Sequence, residues 1–155
     1  MKYILLFCLL ISKSLLGQIP LLESKVYSID ERVIKTKFGS TSSVFKGEGD
    51  VLKLQEMNLI RIGKKKKYRV KSSADREHFF ILKKGNLKIS LGDKEQVLQV
   101  GSMVTVMPKD QIVFENTEDT MAELYEIDLG VIHLKHTGNI IAFSNDELMS
   151  RFEDA

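Results

Sequence analysis

His78-Phe79-Phe80-Ile81-Leu82-Lys83-Lys84-Gly85-Asn86-Leu87-Lys88-Ile89-Ser90-Leu91-Gly92-Asp93-Lys94 is the stretch on which the fold turns. Two short apolar or alternating runs, His78 to Leu82 and Asn86 to Leu91, are separated by a glycine. The second run ends at Gly92-Asp93-Lys94, where glycine can supply the positive φ of a tight hairpin. A third run, Gln96 to Val100, follows at once. Runs this short and closely spaced belong to an all-β sandwich or barrel with antiparallel pairing.

The same rhythm extends in both directions. Val51 to Ile62 and Tyr68 to Val70 precede the stretch, while Met103 to Met107, Ile112 to Phe114 and Met121 to Ile127 come after it. Pro108-Lys109-Asp110 ends a strand that proline could not continue centrally. The predicted barrel covers 51–155. Before it, 18–50 reads as an N-terminal arm of irregular chain with one short strand near Val33 to Lys37, because Pro20, Ser40-Thr41-Ser42-Ser43, Gly47 and Gly49 are turn and loop residues. One helix is expected, over 145–153: Ser144 and Glu147 have capping-box spacing, and Leu148, Met149 and Phe152 share a face.

Bulk composition fits one ordinary domain. The chain has 155 residues, 43% hydrophobic and 28% charged. Residues 1–17 differ from the rest: Lys2 is a short basic start, Tyr3 to Ile11 is apolar, and Ser14-Leu15-Leu16-Gly17 closes the segment. That is the layout of a secretory signal peptide, so the sequence predicts export, to the periplasm or outside the cell. The apolar stretch is short of the roughly 20 residues a spanning helix needs, so no stable membrane anchor is expected. Cys8 lies inside the stretch rather than at its end, which argues against lipid modification.

Cleavage after Gly17 would take Lys2 and Lys13 from the 23 basic residues, leaving them equal in number to the 21 acidic ones, and would remove the single cysteine. A thiol nucleophile, a disulfide and a cysteine-bound zinc are then excluded. A neutral chain also disfavours nucleic acid as a partner, since that class relies on excess positive charge.

Gly85 stands seven residues after His78. Gly101 opens Gly101-Ser102-Met103-Val104-Thr105-Val106-Met107-Pro108, and Asn116 lies fifteen residues after Gly101. On this skeleton Gly63 to Asp128 resembles a cupin of the small conserved-barrel kind. The resemblance implies an all-β, cupin-type double-stranded β-helix, or jelly-roll barrel, here carrying the N-terminal arm and the short C-terminal helix. Cupins often pair through edge strands, and the analogy allows a homodimer.

The resemblance also implies where a metal would sit, and the signature is degenerate there. Counting from Gly85 and Gly101, the four ligand positions fall on Ser72, Ala74, His78 and Ile112, and a shift of one residue gives only Lys71 and Ser73 for the first pair. One imidazole does not make a transition-metal site, so neither metal nor cofactor is expected. Met107 stands where the second motif has proline, and Lys109 where it has glycine.

The remaining candidates are few. His78 shares a strand face with Phe80 and Leu82, so it points inward, as a hydrogen-bonded core residue or as a ligand-binding or acid–base group. Glu77, adjacent to it, falls on the opposite face and is a weaker ligand-binding candidate. His133 and His136 are three apart in what reads as a strand, which separates them. Lys64 to Lys67, with Arg61, Arg69 and Lys71 nearby, reads as a solvated basic loop, with polyanion binding as the sharper alternative. A cyclic-nucleotide barrel is disfavoured because no arginine lies between Glu77 and Ser150 to pair a phosphate. The sequence thus predicts an exported barrel that binds a small organic ligand without a metal. The alternative is a metal-independent lyase or isomerase acting on a sugar or small acid, with His78 carrying the proton.

Overall fold

The computed structural model describes residues 19–49, 52–91, 94–130 and 141–143. The expected leader over 1–17, the helix over 145–153, Cys8, His133 and His136 lie outside them. Eleven strands are present among the described residues: β1 Ile34–Lys35, β2 Gly39–Gly47, β3 Gln55–Ile62, β4 Lys67–Lys71, β5 Arg76–Lys84, β6 Leu87–Leu91, β7 Lys94–Leu98, β8 Met103–Val106, β9 Gln111–Glu115, β10 Ala122–Gly130 and β11 Ile141–Phe143. They form a seven-stranded sheet, β1-β2-β3-β10-β5-β8-β11, and a four-stranded sheet, β4-β9-β6-β7. Every pairing between strands is antiparallel. This is the jelly-roll that the sequence predicts.

Alternation along each strand decides what faces inward. Ile60 and Ile62 on β3, Phe80 and Leu82 on β5, Val104 and Val106 on β8, and Leu124 on β10 form the inner face of the large sheet. Val70, Leu87, Ile89, Ile112 and Phe114 answer from the small sheet. Phe80 and Phe114 meet between the layers with ring centroids 4.8 Å apart. Burying each such ring contributes about 1.5–3 kcal/mol.

The apolar core fills one end of the barrel only. Two residues along from the row Ile60–Leu124–Leu82 comes Asn58–Glu126–Phe80, and two further comes Glu56–Asp128–His78. The inner face of the large sheet therefore changes from hydrocarbon to charge within about 13 Å, four residues of strand.

One sequence expectation needs correcting. The hydroxyl-rich segment Ser40 to Ser43, which reads as irregular chain, lies within the nine-residue strand β2 and pairs with β3 along its length. Small hydroxyl side chains suit a strand when a partner strand satisfies the backbone, and β3 does so here. Further out, the arm follows the edge of β2: Asp30 N donates to Ser43 O at 2.7 Å, and Leu22 N donates to Glu48 O at 2.7 Å.

Candidate functional site

A β-bulge shapes the polar end. Thr41 and Ser43 face inward at period two, and the register shift between Ser43 and Phe45 then turns Lys46 to the same face, opposite Glu56. Lys46 Nζ lies 2.7 Å from Glu56 Oε2, and Asn58 Nδ2 donates to Glu56 Oε1 at 3.2 Å. Burial works against ionising Glu56, but hydrogen bonds from Lys46 and Asn58 outweigh it, and its carboxyl is held below the ordinary range.

Opposite this wall, Tyr68 reaches across from the small sheet. Its hydroxyl donates to Glu126, lying 3.2 Å from one carboxylate oxygen and 3.3 Å from the other. Phe38 packs on the Tyr68 ring with centroids 4.4 Å apart. Burial, reinforced by the Glu126 charge, pushes the phenol far above its usual range, so it remains a donor at any physiological pH.

Glu126 is 7% exposed and is the centre of the arrangement. Besides the phenol it meets His78, whose Nδ1 lies 3.2 Å from Oε1. A carboxylate can only accept in that contact, so Nδ1 carries the hydrogen. The His78 ring stacks on Phe80 with an interplanar angle of 12°. One row further out, Arg76 lies 3.0 Å from Asp128. Burial nevertheless holds the Asp128 carboxyl above its ordinary value, with Glu126 and Glu56 adding to the rise and His78 and Arg76 opposing it.

A cleft of about 440 Å³ opens beside these residues. Its walls are Ile34, Phe38, Thr41, Ser43, Lys46, Glu56, Asn58, Ile60, Tyr68 and Glu126. The size suits a small organic molecule, and the lining combines apolar surface with donors and acceptors of both charges. His78 is not one of the wall residues; it touches the cleft through Glu126. Glu77 pairs with Leu129 on the outer face of β5, away from the cleft.

Sequence reading missed Tyr68, Glu126, Glu56 and Lys46. A signal for Glu126 was present in Leu124-Tyr125-Glu126-Ile127-Asp128, where strict alternation behind a core leucine puts two acids on the inner face. Nothing comparable marks Lys46, whose placement depends on the bulge.

No family model matches the sequence, and no curated protein matches it. Solved structures do resemble the fold. The cupin domain of Schizosaccharomyces pombe Cnp3 has a TM-score of 0.51 at 14% identity, over 59% of this chain and 60% of that one. A cupin 2 conserved barrel domain protein from Salinispora arenicola has a TM-score of 0.55 at 10% identity, over 69% and 89%. The fold is that of a cupin. Protein Ylba from E. coli is similar over a longer stretch, with a TM-score of 0.59 at 10% identity over 88% of this chain and 59% of that one. The chain spans about three fifths of the Cnp3 and Ylba chains.

Cupins bring their metal ligands together inside the barrel, and the residues at those positions here do other work. Ser72 is buried, and its hydroxyl donates to the Arg76 carbonyl. Ala74 is exposed and offers no donor atom. Ile112 is 1% exposed within the core, and His78 is engaged with Glu126. These four residues do not fit a metal ion. Among the described residues, no group of three or more His, Cys, Asp or Glu side chains is arranged to hold one.

Proposed function

We propose that this cupin-fold chain is an exported binding protein that holds a small organic molecule in the cleft beside Tyr68 and Glu126, without a metal centre. The observation that carries this reading is the cleft itself, where a buried carboxylate, a phenol and the Lys46–Glu56 pair converge on about 440 Å³. Buried polar groups of this kind favour a ligand that offers hydroxyl or amine donors to carboxylate oxygens, and reject analogues that lack them. Support for export comes from the leader-like composition of residues 1–17. Native mass spectrometry of the chain purified from its own host is the direct test. A co-purified small molecule released by Glu126→Gln or Tyr68→Phe supports the reading; a ligand retained unchanged by both variants overturns this placement.

A second reading has its own observation. In the Tyr68–Glu126–His78 cluster a phenol and an imidazole both donate to one carboxylate, which gives Glu126 and His78 the place of a proton-carrying pair in metal-free acid–base chemistry. On this reading the barrel is a lyase or isomerase for a sugar or small acid. Incorporation of deuterium from solvent into such a substrate, abolished by Glu126→Gln, would establish it.

A further inference from the structure

The outer face of the small sheet carries a second cleft that the reading above does not use. Alternation places Lys67, Arg69 and Lys71 on the outside of β4, while Tyr68 and Val70 face in. In the row Lys67–Glu115–Lys88 the charges are matched: Glu115 lies 3.0 Å from Lys67 and 3.7 Å from Lys88, and Lys88 lies 3.0 Å from Glu95. In the next two rows they are not. Arg69 stands opposite Val113, which pairs on its other side with Ser90, and Lys71 stands opposite Gln111. No acidic side chain forms an ion pair with Arg69 or Lys71 among the described residues, and both are exposed. These residues line a cleft of about 510 Å³.

Lysines on an edge strand also serve to keep sheets from pairing, and for that role a cleft is not needed. Among the described residues, two cations without an ion pair border a concave surface whose other polar side chains, Ser90 and Gln111, are neutral donors and acceptors. Same-face residues on a strand repeat about every 6.7 Å, so the cations form a row rather than a point. At the far end of β4 the Gly63–Lys66 turn, closed by Lys66 N donating to Gly63 O at 3.2 Å, carries exposed Lys64 and Lys66.

We infer that the Arg69–Lys71 cleft on the outer face of the small sheet binds an anionic polysaccharide, its carboxylate or sulfate groups paired with the cations and its hydroxyls with Ser90 and Gln111. Single-stranded nucleic acid is the poorer fit, because no aromatic side chain among the described residues lines the cleft to stack a base. A flat lipid surface is poorer still, because the cations border a concavity.

Titration of the full chain with a size-defined heparin oligosaccharide and with a polygalacturonate oligosaccharide, at low and moderate salt, tests this. Saturable binding that weakens with salt is expected to at least one of the two, and which one binds identifies the anionic group. The double variant Arg69→Ala/Lys71→Ala should lose about tenfold in affinity. Lys83→Ala/Lys84→Ala, which removes equal charge from the large sheet, should change it less than about twofold at moderate salt. Ser90→Ala/Gln111→Ala should weaken binding without altering its salt dependence. Absence of saturable binding to either glycan overturns the proposal. So does equal loss in the two charge variants, or tighter binding to single-stranded DNA or to phosphatidylglycerol vesicles than to both glycans.

Discussion

His78 and Glu126 lie on neighbouring strands two residues out of register, and the 3.2 Å contact between Nδ1 and Oε1 joins the apolar core to the cleft. The imidazole packs against Phe80 on one side and orients the cleft carboxylate on the other.

If Glu126 accepts from Nδ1, neutral His78 is the Nδ1–H tautomer, which long-range nitrogen–proton NMR reports directly. His78→Gln keeps a donor nearby and should change stability by about 1 kcal/mol. Any bound ligand should then be held less well, because the carboxylate loses its orienting partner. An Nε2–H tautomer would remove this contact from the site.

The Tyr68 phenol supplies a second prediction. Tyr68→Phe leaves the buried Glu126 carboxylate one donor short, at a cost of about 1–2 kcal/mol. The sign of the pH effect follows from a folded value raised above the unfolded one. The stabilisation is complete below the ordinary tyrosine range, about 10, and drains away as pH rises through and beyond it, because only the unfolded phenol ionises there. In an alkaline absorbance titration, Tyr68 should stay un-ionised until the protein unfolds.

Glu56 and Asp128 face each other across β3 and β10, yet shift in opposite directions. Glu56 is held low, so its contribution to stability is full above the ordinary carboxylate range and is lost as pH falls below that range. Asp128 is held high, so ionising it costs stability at neutral pH, and that cost disappears in acid. Glu56→Gln should therefore destabilise at pH 7, and Asp128→Asn should stabilise, each on the order of 1 kcal/mol. The Asp128 difference should shrink toward zero by about pH 3, where the wild-type carboxyl is itself protonated, while the Glu56 difference persists to lower pH than for an ordinary carboxylate. Denaturant melts at the two pH values check both signs.

How much of this was legible follows from what each feature depends on. Strand rhythm is local, so β5, β6 and the glycine turn between them could be read directly, and His78 was seen to face inward by alternation alone. Tyr68 and Glu126 stand 58 residues apart on different sheets, and no spacing rule brings a phenol to a carboxylate at that distance. Lys46 enters the cleft through a bulge, which changes the parity of its strand without a mark in the sequence. The strand at Ser40 to Ser43 was hidden by its composition, since hydroxyl-rich runs are commoner in loops.

Lys109 holds a backbone conformation that favours glycine. It occupies the place where the cupin motif has glycine and still adopts φ 71°, in a turn closed by Asp110 N donating to Met107 O at 3.1 Å. A residue with a Cβ is strained there, so Lys109→Gly should stabilise by about 1 kcal/mol once the added freedom of the unfolded chain is deducted. Gly85→Ala should do the reverse: φ is 82°, and the new Cβ would lie 3.2 Å from both Cα and Cβ of Ala122. Thermal melts of the two variants should move in opposite directions.

The last prediction concerns metal, and it rests on what the residues at the four expected ligand positions are doing. Ser72 has committed its hydroxyl to the Arg76 carbonyl, Ile112 is sealed in the core, Ala74 has no donor, and His78 Nδ1 is held by Glu126. Only Nε2 of one imidazole is left, and a single neutral nitrogen does not offset the dehydration of a divalent cation. The purified chain should carry much less than one equivalent of manganese, iron, nickel, copper or zinc by elemental analysis. Adding a chelator should leave the melting temperature unchanged, whereas a tight site would lose several degrees through mass action. About one bound metal per chain, released by His78→Ala, would overturn this and would favour the enzyme reading over the binding protein.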